Sequence, residues 1–227
     1  EQNNMYNTSK IHAIIFDMDG TVLESEGLFT LAEQRLLRDY GVDADPDALS
    51  VFLGMSEDDF YPQFIKKFKI NDDIESLKHK LKNYLFIIMK SHLKYIAGFE
   101  HFYNSIIKKN HLKTALVTNT SRDIVMKVRE FINIDSYFSV IITSTDTSDP
   151  KPSPVPYSYA MRELAVDPSN TIIIEDSIVG IQSALASKAE VWGITSTMSR
   201  EDMASFADNI HIFDYYTEIS KFLEKRV

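Results

Sequence analysis

The chain has 227 residues, 44% of them hydrophobic, a formal net charge of −9 and no cysteine. Length and apolar content suffice for one sizeable α/β domain, or a main domain carrying a smaller one. An acidic balance without a basic block argues against a nucleic-acid or anionic-membrane partner, and the missing thiols exclude disulfides and thiolate metal sites or nucleophiles.

The opening Glu1 to Lys10 is polar and lacks the apolar core of a signal peptide. No segment approaches the roughly 20 apolar residues that span a bilayer; the run Tyr84-Leu85-Phe86-Ile87-Ile88-Met89 is short and sits among lysines. A cytoplasmic, monomeric protein is expected. From Ile11 to Phe16 an apolar run predicts a buried strand, which the tight reversal Gly20-Thr21-Val22-Leu23 ends, with Ser25 as a helix cap. Leu28, Leu31, Ala32, Leu36 and Tyr40 then recur at helical spacing, as do Leu77, Leu81, Tyr84, Leu85 and Ile88, so the stretch to Tyr95 reads as helices without a strand.

After Gly98 the pattern alternates. A helix from Phe99 to Lys109 precedes a strand at Thr114 to Val117, and a helix from Arg122 to Ile132 precedes a strand at Val140 to Ile142. A helix at Val155 to Leu164, a strand at Thr171 to Ile174, a helix at Ile178 to Ala186, a strand at Val191 to Ile194 and a final helix ending near Leu223 complete the chain. This alternation predicts a parallel sheet with crossover helices, the helical block being inserted after the first strand.

Residues with chemical potential gather where these strands end. Asp17 and Asp19 follow the first strand, Thr118-Asn119 the second, and Glu175-Asp176 the apolar run from Thr171; Lys151 lies in the stiff loop Asp149-Pro150-Lys151-Pro152-Ser153-Pro154. In a parallel sheet all would share one edge, where open α/β sheets bind ligands. Four carboxylates there would repel one another without a cation, and hard oxygen ligands suit Mg²⁺. The Thr118 hydroxyl, the Asn119 amide and the Lys151 ammonium can hold phosphoryl oxygens, while a carboxylate can serve as nucleophile. The expected chemistry is phosphoryl transfer.

Four segments, in order, resemble the haloacid dehalogenase superfamily in its branch similar to β-phosphoglucomutase and phosphoglycolate phosphatase. They are Phe16-Asp17-Met18-Asp19-Gly20-Thr21, Val117-Thr118-Asn119, Lys151-Pro152, and Ile174-Glu175-Asp176-Ser177 with Gly180-Ile181. The resemblance implies a Rossmann-like core formed by residues 1–24 and 97–227, with a helical cap at 25–96. It implies that Asp17 is the nucleophile and a Mg²⁺ ligand. Asp19 is then the acid/base, its main-chain carbonyl on the metal, while Glu175 and Asp176 complete the metal site. Gly20, Thr118, Asn119 and Lys151 would bind the substrate's phosphoryl group, Lys151 also steadying Asp17. The substrate would be a small phosphorylated metabolite, hydrolysed through an aspartyl-phosphate. The cap's flanks, Leu23 to Glu26 and Tyr95 to Gly98, are candidate hinges.

Other readings compete. An EF-hand would need Gly at Val22 and Glu at Leu28. A dehalogenase needs neither Asp19 nor the second acidic pair. A mutase resembling β-phosphoglucomutase would carry a histidine where Phe29 stands and basic residues in the turn that here reads Leu53-Gly54-Met55-Ser56-Glu57. A receiver-like signalling domain or a non-catalytic phospholigand binder are further alternatives. The receiver's acceptor aspartate would fall where the chain has Thr118.

Overall fold

The computed structural model describes residues 10–52, 55 and 57–227 and, at residue 26, the backbone alone. Most of the polar opening segment, and Leu53, Gly54 and Ser56 of the cap turn, lie outside the described residues. Strands β1 (Ala13–Phe16), β2 (Lys113–Val117), β3 (Val140–Ile142), β4 (Thr171–Glu175), β5 (Glu190–Ile194) and β6 (His211–Phe213) form one sheet in the order β3-β2-β1-β4-β5-β6. Every neighbouring pair is parallel. The chain moves outward from β1 through β2 to β3 and returns to β1's other side for β4. β1 is therefore the switch point, and the carboxyl edge beside it is where such a sheet opens a crevice.

Side chains alternate across this sheet as a strand's period of two requires. Ile14 and Phe16 of β1, Leu116 of β2, and Ile172 and Ile174 of β4 enter one apolar layer. Ala13, Ile15, Ala115, Val117 and Ile173 enter the other. All four β1 residues are fully buried. Truncating such an isoleucine to alanine costs about 2–5 kcal/mol, so the strand that carries the first acidic pair is held firmly. Phe16 fixes its end further through edge contacts with Phe99 and Phe138, at centroid distances of 5.7 and 5.6 Å.

The insert after β1 is helical, as expected: α1 (Glu26–Asp39), the single turn α2 (Pro46–Leu49), α3 (Glu57–Phe68) and α4 (Ile74–His92). Asp73 caps α4 by accepting from the Ser76 N–H at 2.9 Å. Leu77, Leu81, Leu85 and Ile88 form its buried stripe. These residues, with Ala32 and Leu36 of α1, belong to the same apolar layer as Ile14 and Phe16, which joins the cap to the core. The two connections run side by side: the Glu24 N–H donates to Lys94 O at 2.9 Å and the Ile96 N–H to Val22 O at 2.8 Å. Both expected hinge flanks thus meet in one short paired ribbon.

Beyond the cap, α5 (Phe99–Phe102) runs into wider turns over Tyr103–Ile107, marked by the Lys108 N–H bonding to Tyr103 O at 2.9 Å. The expected regular helix widens there, and Phe99, Phe102, Ile106 and Ile107 all reach the core. The remaining helices are α6 (Arg122–Phe131), α7 (Val155–Leu164), α8 (Ile178–Ala186), the short α9 (Arg200–Met203) and α10 (Tyr216–Leu223). α6 and α10 pack on the Phe16 side and α7 and α8 on the Ile15 side, completing a doubly wound α/β core with a helical cap. Strand β6 is an addition to the sequence reading. Its three residues, two of them half-buried, are too few to show an alternating pattern.

Candidate active site

Asp17 and Asp19 leave the end of β1 on opposite duties. The chain turns through Gly20, whose φ of +83° is open to glycine, and a Cβ there would collide with the Asp176 and Thr197 side chains. The β4 end thereby comes against the β1 turn, and the Thr21 hydroxyl donates to Asp176 Oδ1 at 3.2 Å.

Lys151 connects three strand ends. Its ammonium donates to Asp17 Oδ1 at 2.7 Å, to Glu175 Oε1 at 2.7 Å and to Val117 O at 2.9 Å, and its side chain is 3% exposed. Burial opposes this charge, yet Asp17 and Glu175 outweigh it and hold the lysine above its ordinary value. The Tyr157 ring lies under the ammonium at 4.9 Å, while its hydroxyl donates to Glu175 Oε1 at 2.7 Å. Glu175 Oε2 accepts from the Asp176 and Ser177 N–H groups and the Ser177 hydroxyl at 3.1–3.3 Å. Both Glu175 oxygens are therefore engaged, one holding Lys151 and the other the turn into α8.

The Asn119 side chain, expected as a phosphoryl donor, also has partners within the chain. Its Nδ2 donates to Lys151 O at 3.1 Å and its Oδ1 accepts the Lys151 N–H at 3.0 Å, a two-point clamp that positions the lysine loop. Asp19 is ringed by hydroxyls: Ser25 donates to Oδ1 at 2.6 Å, and Thr118 and Thr120 donate to Oδ2 at 3.1 and 2.7 Å. Ser25, expected as a helix cap, precedes α1 without a capping bond because its hydroxyl is spent on Asp19. Thr120 and Tyr157 were not singled out from the sequence. Thr120 had a signal, lying two residues after Thr118 in the bend that follows β2. Tyr157 had none, since only the fold brings α7 beneath the lysine.

Oxygens of Asp17, Glu175 and Asp176 lie within 4.8 Å of one another. Against the single ammonium of Lys151, three carboxylates leave a formal −2. Burial pushes the Asp17 carboxyl well up, Lys151 pulls it down, and Glu175, Asp176 and Asp19 push it up again. A buried all-oxygen cluster with this excess charge fits a hard divalent cation. The Asp19 side chain stands outside it, among its hydroxyls.

Above the acids, core and cap enclose a cavity of about 530 Å³. Its floor includes Asp17, Asp19, Thr118, Lys151 and Asp176; its roof includes Phe29, Phe52, Phe60 and Tyr61. Two polar contacts close its side. Glu57 of α3 accepts from the Ser121 hydroxyl at 2.8 Å, and Lys82 of α4 pairs with Asp123 of α6 at 2.7 Å and with Glu57 at 3.5 Å.

Glu33 also lines the roof, and was missed in the sequence although it follows Phe29 by one helical turn. It is 8% exposed, and burial pushes its carboxyl up from 4.5 to about 8. With the folded value above the unfolded one, its contribution to stability is complete below pH 4.5 and is lost as pH rises through about 8. Glu33→Gln is therefore expected to gain in melting temperature on the wild type as pH increases across that window. Parallel melting curves would show that Glu33 does not titrate there.

Comparison with known proteins agrees with this geometry. A phosphorylated carbohydrates phosphatase of Thermotoga maritima is 25% identical over 190 residues, covering 83% of this chain and 88% of its own. A phosphoglycolate phosphatase of Aquifex aeolicus is 23% identical over 230 residues, covering 90% and 100%. The crystal structure of a family IA, variant 3 HAD hydrolase from Entamoeba histolytica superposes with a TM-score of 0.80 at 23% identity, covering 92% of this chain and 95% of that one. Residues 14–194 match the family model described as haloacid dehalogenase-like hydrolase, and the chain belongs to that family.

Proposed function

We propose that the protein is a Mg²⁺-dependent phosphatase that hydrolyses a small phosphorylated metabolite through an aspartyl-phosphate. The observation that carries this reading is Lys151 bridging Asp17 and Glu175 beside Asp176, at the switch point of the sheet and beneath the cavity. Asp17 attacks phosphorus and the ester P–O bond breaks. Asp19 gives the departing oxygen its proton, then takes one from the water that attacks the acyl phosphate. The three hydroxyls around Asp19 can turn between donating and accepting, so both of its protonation states are accommodated. Thr118 holds a phosphoryl oxygen, Lys151, whose three N–H groups reach Asp17, Glu175 and Val117 O, serves the phosphoryl group as a positive charge beside it, Asn119 fixes the Lys151 backbone, and the Gly20 turn keeps the floor open. Asp17, Asp176, Glu175 and the Asp19 carbonyl are the metal-site residues, Glu175 acting mainly through the turn it holds. When bound, Mg²⁺ supplies charge neutralisation for phosphoryl oxygens.

Hydrolysis fits the roof better than a mutase reaction, since Phe29 and Glu57 stand at the cavity where a second phosphate would need cations. The paired connections at Val22–Glu24 and Lys94–Ile96 support cap boundaries of 25–96.

Phosphate release from p-nitrophenyl phosphate, with and without Mg²⁺, tests the reading. Excess chelator is expected to stop release and Mg²⁺ to restore it; full activity in chelator would contradict the metal site. Asp19→Asn is expected to be phosphorylated slowly and to release phosphate about 10²-fold more slowly than wild type or worse. Hydrolysis at the wild-type rate would remove Asp19 from the acid/base role.

A further inference from the structure

The cavity's floor accounts for the phosphoryl end of a substrate; its roof bears on what the phosphoryl group is attached to. The roof is largely aromatic, and one carboxyl group is set into it. Glu33 is more than nine-tenths buried, faces the cavity from α1, and among the described residues has no salt bridge and no hydrogen bond to its carboxylate. Leaving a carboxylate in apolar surroundings is costly unless a partner charge arrives.

That partner is not supplied by the chain. Lys82, which also lines the cavity, is engaged by Asp123 and Glu57; Lys78 lies 3.7 Å from Glu57 and 3.9 Å from Glu75. With Glu33 ionised, as a cationic partner would make it, the roof's own charges, Glu33 and Glu57 against Lys82, sum to −1. Burial and then the acids Glu57, Asp123 and Glu33 push the Tyr61 phenol upward, and its ring already has the Lys78 ammonium at 5.5 Å, so the field at this wall draws positive charge. Aromatic faces around such a field favour a cation. An anionic tail would instead meet the Glu57 carboxylate, a Glu33 carboxyl whose ionisation it would oppose further, and no uncommitted cation among the described residues.

We infer that Glu33 is a specificity-determining residue that receives an ammonium group on the leaving group, so that the preferred substrate is an amine-bearing phosphate monoester, an amino-alcohol or amino-sugar phosphate. This rests on the phosphatase reading for the floor. It assigns the amine to a place reached from Asp17 across the cavity, on the same face of α1 as Phe29.

Matched substrates test it. With Mg²⁺ at pH 7, wild-type kcat/KM is expected to favour glucosamine 6-phosphate over glucose 6-phosphate, and O-phosphoethanolamine over 2-phosphoglycolate, by about tenfold or more. Glu33→Gln is expected to bring each pair close to parity, mainly through a higher KM for the amine. Glu33→Asp, which keeps the charge, should retain part of the preference. No preference in the wild type, or an undiminished one in Glu33→Gln, overturns the inference. Turnover of p-nitrophenyl phosphate without amine preference would leave the phosphatase reading standing and remove this one. If no ester is hydrolysed, the phosphatase reading fails, and calorimetry on Asp17→Asn decides the amine site separately. Tighter binding of glucosamine 6-phosphate than glucose 6-phosphate supports it, and equal binding overturns it.

Discussion

Asp17→Asn is expected to lower kcat by about 10³-fold or more while the protein folds and melts close to the wild type. The substitution removes the attacking carboxylate but preserves its shape and an oxygen that can accept from Lys151. Burial disfavours the ionised acid, and the neighbouring Glu175, Asp176 and Asp19 add to that pressure, with Lys151 alone relieving it. A neutral amide escapes this penalty, so loss of activity should come without loss of fold. Single-turnover phosphate release together with a thermal melt checks both halves. Wild-type turnover in the variant would end the nucleophile assignment.

Lys151→Met should have the largest effect on stability. Removing the ammonium leaves Asp17 and Glu175 buried without their shared partner, and breaking a buried pair in this way costs about 3–5 kcal/mol. The folded lysine titrates above its unfolded value of 10.5, so its contribution is fully present below that pH and is lost only as pH rises through the higher folded value. The lysine's own titration therefore adds no pH dependence in the neutral range, whereas Asp17, pushed up by burial and deprived of its one relieving charge, should make the deficit grow as pH rises. Urea unfolding at two neutral pH values measures it; a change under about 1 kcal/mol, the size of an exposed pair, would show that the cluster does not depend on this charge. Activity should fall as well, since the phosphoryl group loses a cation.

How far the sequence disclosed this arrangement depends on the range of each interaction. Ile14-Ile15-Phe16 followed by Asp17 and Asp19 is a local pattern, a buried strand broken at an acidic turn, and the parallel sheet followed from strands spaced by helices. Those features are written within a few residues. Lys151 beside Asp17 follows from the resemblance, and its second partner, Glu175, is supplied only by the folded sheet edge. The role of Tyr157 could not be anticipated, because its hydroxyl meets Glu175 only after α7 packs beneath the sheet. Asn119 looked like an open donor because its side chain gives no sign that the Lys151 backbone will occupy both its ends. Glu33 stands on an amphipathic helix and gives no local sign that it will be buried beside the cavity. Strand β6 is too short for any periodic signal, and the wider turns at Tyr103–Ile107 interrupt a pattern that otherwise reads as plain helix.

The contacts at the cavity's side have an ionic-strength consequence. Ser121 and Asp123 stand at the start of α6, three and five residues after Thr118, so the segment that receives the cap is continuous with the one proposed to hold the phosphoryl group. Asp123 is more than half exposed, and its attraction to Lys82 is open to small ions from solution, whose screening length is about 8 Å at physiological salt. The Glu57–Ser121 hydrogen bond is a short-range contact and much less subject to that screening. Added electrolyte would therefore weaken one of these two polar contacts and spare the other, while the apolar layer shared by α4 and the core still joins them.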